Sequence, residues 1–149
     1  MKKSALSILI SAVALVMLAC GCTQNNGSIG VLYGSWVVDN LTVADGGEMP
    51  EGYEPDKCFL SFQNNIVRAT LDTGHHTFIK RFGTWENSGD YLLLNFTYGE
   101  WTYDAPSWLG FSSEEVMRLK YVEESSSRIV LEWVNPQGAK YTYYLKKTY

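Results

Sequence analysis

The sequence predicts an all-β chain, an antiparallel eight-stranded up-and-down barrel, with a two-sheet β-sandwich as the runner-up. Three observations carry this reading. From Ser35 onward, apolar and polar residues alternate in short runs, the period of strands with one buried face. Clusters of Gly, Asn, Asp and Ser interrupt those runs at short intervals, which leaves no room for crossover helices between parallel strands. Aromatics are dense, with ten Tyr, six Phe and five Trp in 149 residues, which suits a pleated, half-buried surface or a binding cleft. Closing eight antiparallel strands removes the sheet edges, and the interior then fills with side chains or holds one small ligand. A sandwich shares the same alternation.

The elements follow in order. Gly34-Ser35-Trp36 opens the first run, Ser35 to Val43, where the glycine lets the chain turn in and the indole plugs one end of the core. Residues 45–55 form a long loop. Runs at 57–62 and 66–71 flank Gln63-Asn64-Asn65, a hairpin turn because asparagine tolerates positive φ. Asp72-Thr73-Gly74 turns into 76–82, and residues 86–90 turn into 91–97. After the stretch 98–113 come runs at 116–122 and 127–134, with Met117, Leu119 and Tyr121 facing Ile129, Leu131 and Trp133. Ser112 to Glu115 has the form of a capping box, but the alternation that follows favours a strand. Asn135-Pro136-Gln137-Gly138 is a hairpin loop into the last run, 139–147.

What precedes the domain is an export signal. Met1-Lys2-Lys3 is basic, residues 5–18 are apolar apart from two serines, and Met17-Leu18-Ala19-Cys20 follows. The apolar run is too short to span a bilayer and has the layout of a signal peptide. Met17-Leu18-Ala19-Cys20 resembles the bacterial lipobox, which implies cleavage before Cys20 and acylation of its thiol and amine. Two or three acyl chains anchor stably where one is marginal. The organisation is then a signal peptide over 1–19, a lipidated cysteine and polar tether over 20–32, and one β-barrel domain over 33–149. The implied location is the bacterial cell envelope, lipid-anchored, in the outer membrane facing the periplasm. Cys58 alternates with Leu60 and Phe62 and is expected to be a buried, inert thiol.

The chain carries a net charge of −4, and −6 once Lys2 and Lys3 leave with the leader. A polyanion is repelled by that balance, so nucleic acid is excluded as a partner. No cofactor motif is present: there is no phosphate-binding glycine loop, no Gly-x-Ser-x-Gly and no Cys/His dyad of known spacing.

Gly34-Ser35-Trp36 resembles the Gly-x-Trp that opens the first strand of lipocalins. A second Gly-x-Trp at Gly83-Thr84-Trp85, the leucine-rich strand Tyr91-Leu92-Leu93-Leu94 and the closing Tyr143-Tyr144-Leu145-Lys146-Lys147 look like the lipocalin-like domain of small bacterial lipoproteins. The resemblance implies a barrel with a cavity and an apolar ligand. No arginine follows the last strand, so Lys146 or Lys147 is expected to cover Trp36 instead.

Candidate chemistry is sparse. Asp72-Thr73-Gly74 after apolar residues resembles the active-site loop of retroviral-type aspartic proteases, which would require a homodimer sharing a proton between two aspartates. The competing reading is a turn whose aspartate caps the backbone. His75-His76 point to opposite faces if extended and make a poor metal pair. Asp45, Glu48, Glu51, Glu54 and Asp56 line one loop without a recognised calcium spacing. Ligand contacts gather in loops over a barrel mouth. The aromatics Tyr98, Trp101, Tyr103, Trp108 and Phe111 crowd one such segment. The sequence therefore favours a non-enzymatic, membrane-anchored barrel binding a small apolar or amphipathic ligand. A filled barrel acting as a protein- or glycan-interaction module is the alternative.

Overall fold

A computed structural model describes residues 30–96 and 105–148. Eight strands form one closed sheet in which spatial order equals chain order. They are β1 (Gly34–Ala44), β2 (Cys58–Gln63), β3 (Ile66–Gly74), β4 (Thr77–Ser88), β5 (Tyr91–Asn95), β6 (Met117–Ser125), β7 (Arg128–Val134) and β8 (Lys140–Thr148). Every neighbouring pair is antiparallel, and β8 closes on β1 from Ser35↔Thr148 to Ala44↔Lys140. The architecture is the up-and-down barrel and not the sandwich.

The connections sort to two ends. One end holds η1, a 3₁₀ turn at Gly30–Leu32, with the hairpins at 64–65, 89–90 and 126–127 and the end of β8. The other holds residues 45–57, 75–76 and 135–139, together with Phe96 and residues 105–116. Both described termini therefore lie at the first end.

That first end is shut by the residues that opened the sequence argument. Trp36 is fully buried, and its indole Nε1 donates to the Leu32 carbonyl at 2.9 Å. Lys147 reaches under the barrel so that its ammonium lies 5.2 Å from the Trp36 ring and donates to the Val31 carbonyl at 3.0 Å. Lys146 is exposed on the outer face instead. Leu32, within the segment expected as tether, is 2% exposed and belongs to the core. Trp85 packs edge-on against Phe62 at 5.3 Å, so the second Gly-x-Trp supplies core as well.

The alternation places Cys58, Leu60 and Phe62, then Leu92, Leu94 and Phe96, then Tyr141, Tyr143 and Leu145 inside. Burial raises the Cys58 thiol pKa, which suits an inert core cysteine. In β1 the phase slips at a bulge between Val38 and Asn40, so the buried residues run Trp36, Val38, Leu41. One extra residue flips the faces of a strand.

Three boundaries differ from the sequence expectation. β4 continues through Gly83 to Ser88, and the expected turn at 86–90 contracts to Gly89 and Asp90. Gly83 makes this continuation possible: a Cβ there would lie 2.5 Å from the Asn95 carbonyl oxygen, so only glycine lets β5 pair alongside. The turn after β3 falls on His75 and His76, with φ of 49° and 61°, and not on Asp72-Thr73-Gly74. Between β6 and β7, pairing runs on to Ser125↔Arg128, which leaves only 126–127 to turn. Ser112 accepts from the Glu114 amide at 3.1 Å, yet no helix follows and β6 begins as a strand. The Asn135 loop forms as expected, its side-chain oxygen accepting from the Gln137 and Ala139 amides at 3.0 and 2.8 Å.

Candidate functional site at the barrel mouth

The far end of the barrel is covered on one side by two segments that lock together. Residues 105–111 contain a second 3₁₀ turn, η2 (Ser107–Leu109), ended by Gly110 in the left-handed region at φ 73°. Leu109 is fully buried, and its carbonyl accepts the Tyr143 hydroxyl at 2.7 Å. Phe111 sits between Phe96 and Tyr143, with ring centroids at 5.8 and 5.3 Å. The β1–β2 loop closes over this turn: a Cβ on Gly110 would stand 3.1 Å from Pro50, and one on Gly52 would stand 3.8 Å from the Trp108 Cβ. The Tyr141 hydroxyl donates to the Glu48 carbonyl at 3.3 Å.

Of the five aromatics expected to meet a ligand, Trp108 and Phe111 are each 5% exposed and belong to the core cluster. Tyr98, Trp101 and Tyr103 lie outside the described residues, as does Cys20.

The opposite side of the mouth is different. In an antiparallel pair, facing residues share a side of the sheet. Register pairs Val67 with Gly83, Ala69 with Arg81 and Leu71 with Ile79. Val67 and Ala69 are fully buried, so Arg81 and Ile79 point into the barrel. Ile79 is nevertheless 37% exposed, and Leu71 and Arg81 are half-buried. The inner wall is thus open to solvent only toward the β3–β4 hairpin tip, at Leu71, Ile79 and Arg81. Arg81 places its guanidinium carbon 5.7 Å from the Trp108 ring centroid, and its Nη1 donates to the Lys80 carbonyl at 3.1 Å. Arg81 Nε and Trp108 Nε1 are both buried without a hydrogen-bond partner.

The sequence reading missed Arg81. Its signal was the parity of β4: counting back in twos from Trp85 passes Gly83, Arg81 and Ile79, which puts Phe78, Lys80 and Phe82 outside. Hydrophobicity alone suggests the reverse.

Outside the barrel, a groove of about 290 Å³ runs across β1 to β4, lined by Phe59, Ser61, Arg68, Thr70, Phe78 and Lys80 among others. Phe78 in its lining is 50% exposed, and Phe82, outward on the same strand opposite Arg68, is 44% exposed.

The remaining candidates resolve locally. Asp72 caps its own hairpin, its carboxylate accepting from the Gly74 amide at 2.8 Å, and Thr73 donates to the Thr77 carbonyl at 3.0 Å. In the acidic loop Glu54 pairs with Lys57. Among the described residues no three His, Cys, Asp or Glu side chains gather as a metal site. Burial, helped by the nearby Cys58, Asp39 and Asp56, pushes the Tyr53 hydroxyl up to about 12.

A lipocalin-like protein from Bacteroides uniformis superposes with a TM-score of 0.60 at 21% identity, over 80% of this chain and 100% of its own. An uncharacterized protein from Bacteroides eggerthii gives a TM-score of 0.55 at 16% identity, over 78% of this chain and 99% of its own. The fold is lipocalin-like. No family model matches the sequence, and no curated protein matches it. The lipocalin-like barrel thus rests on shape, on the Gly-x-Trp plug at one end and on a half-open mouth at the other.

Proposed function

We propose that the protein is a non-enzymatic lipoprotein of the bacterial envelope, held in the outer membrane by acylated Cys20 and facing the periplasm. Its lipocalin-like barrel binds a small apolar or amphipathic ligand. The observation that carries the ligand reading is the exposed inner wall: Ile79, an inward-facing apolar residue, is 37% open to solvent beside half-buried Leu71. An apolar surface inside a concave rim gains by being covered, at about 25 cal/mol per Å². The deep interior is occupied by Trp36, Phe62, Phe96 and Tyr143, so the ligand lies in the upper barrel.

Two measurements test this. Mass spectrometry of membrane-extracted protein should find an acylated N-terminal Cys20, and Cys20→Ser should release the protein to the soluble fraction. An unacylated wild-type chain overturns the anchor. Titration with Nile red should give a saturable fluorescence rise that Ile79→Asp weakens. No saturable binding overturns the ligand reading.

The interaction module stands as a second reading because of the outer groove. Phe78 and Phe82 are exposed beside Arg68 and Lys80, and exposed aromatics with adjacent cations are a common partner-binding composition.

A further inference from the structure

Arg81 is the one charged side chain that the β3–β4 register turns into the barrel. Its pairing with fully buried Ala69 fixes that direction, and a guanidinium stays charged at any physiological pH. A cation on an apolar inner wall is normally matched by a carboxylate. The ion pairs of the described residues are Lys57–Glu54 and Lys140–Glu132, and neither involves Arg81. Its own contacts are a backbone carbonyl one residue away and the Trp108 ring, and they leave Nε buried and unpaired. Two orphaned donors, Arg81 Nε and Trp108 Nε1, therefore flank the mouth. Each costs stability unless an acceptor arrives from outside.

We propose that Arg81 is the headgroup contact of the mouth and that the ligand is a carboxylate-bearing amphiphile. This rests on the ligand-binding reading above and narrows it. The planar fork of the guanidinium matches a carboxylate with two parallel hydrogen bonds. The apolar body of the ligand lies against Leu71 and Ile79, which the same register sets one inward-facing step further toward the hairpin tip. The site thus reads one end of the ligand by charge and the other by contact area. Trp108 presents its ring to the guanidinium, which lies over it at 5.7 Å from the centroid; the ring is held in η2 beneath the β1–β2 loop, and a cation–π contact orients an arginine without neutralising it.

Calorimetric titration of the full domain with decanoate, decanol and decyltrimethylammonium, each below its aggregation threshold, tests the inference. Decanoate should bind about tenfold or more tightly than the other two, the size of one charge-assisted hydrogen-bonded contact. Arg81→Met should bring decanoate down to the wild-type level for decanol, and Arg81→Lys should restore part of the difference. Thermal midpoints measured alongside separate lost binding from lost folding, and the three-ligand comparison on wild type needs no variant. Equal affinities for decanoate and decanol in the wild type overturn the assignment of Arg81 while leaving apolar binding intact. An Arg81→Met protein that folds and keeps full decanoate affinity does the same. Failure of all three probes to bind overturns both this inference and the ligand-binding reading.

Discussion

Gly83 shows how much a single position can decide. It lies within β4, where glycine ordinarily weakens a strand, yet a Cβ there would meet the Asn95 carbonyl oxygen at 2.5 Å and the Phe96 ring at 2.9 Å. The backbone neighbour has little room to yield. Gly83→Ala should therefore destabilise the protein by about 1–3 kcal/mol, in the range of core overpacking, read as a lower urea midpoint with unchanged slope. A stability equal to wild type would mean that β4 and β5 can separate locally without cost. Lys147 makes a related point at the opposite face of the core. Where the lipocalin resemblance led one to look for an arginine, a lysine lies over Trp36 and also binds the Val31 carbonyl. The cation over the indole is retained, while its partner is one backbone oxygen, which an ammonium serves as a compact point donor.

At the scale of elements, the mouth depends on the short turn η2 and on the strand that holds it. The Tyr143–Leu109 hydrogen bond is buried at 2.7 Å, so removing the hydroxyl strands the carbonyl in apolar surroundings. Tyr143→Phe should cost about 1–3 kcal/mol, and hydrogen exchange should show faster opening of 105–111 with little change in β1. Uniform acceleration everywhere would contradict a local role. The alternation of β2, β3, β7 and β8 and the hairpin loops between β2 and β3 and between β7 and β8 were legible from sequence because polar punctuation and one buried face act on neighbouring residues. The ends of β4 were not. Glycine within it reads as a turn until the close approach of β5 is known, and the outward Phe78 and Phe82 look like core until Trp85 sets the parity. The turn at His75-His76 escaped for a similar reason: Asp72-Thr73-Gly74 carries the stronger turn composition, yet the Asp72 carboxylate caps the end of β3 and leaves the reversal to two histidines in the left-handed region. Neither 3₁₀ turn could be read, since each is three residues long and is held by tertiary contacts. Trp108 and Phe111 were recognised as belonging together, but their burial depends on the Pro50 and Gly52 loop, which is remote in sequence.

For the whole molecule, the closed sheet ties the stability of one end to the other, because β1 pairs with β8 along most of its length. Alkaline pH should expose this coupling. Burial raises the Tyr143 hydroxyl well above the ordinary tyrosine value, with Tyr141 adding to the effect. Burial likewise lifts Tyr53 and Tyr121 to about 12, with Glu123 contributing to the latter. A group whose pKa is raised by folding contributes stability that is complete below its unfolded value, near 10 for tyrosine, and is lost as pH climbs through the folded value. Stability should therefore be flat up to about pH 10 on this account and then fall, with phenolate absorbance rising together with loss of structure. Tyr143→Phe should start less stable and show a shallower alkaline decline. Phenolate absorbance that rises well before unfolding would show these hydroxyls to be freely ionisable.

The placement of the two ends has a consequence for traffic. The described chain enters at Gly30 and leaves at Thr148 on the side sealed by Trp36, opposite the rim formed by Leu71, Ile79 and Arg81. Gly30 stands ten positions after Cys20, a span of about 35 Å at most if fully extended. Under the proposed anchor at Cys20, the sealed base would be the end tied to the bilayer, and the rim would lie at the free end. On that proposal, cargo would be exchanged with carriers or enzymes arriving from solution more readily than drawn straight out of the anchoring leaflet.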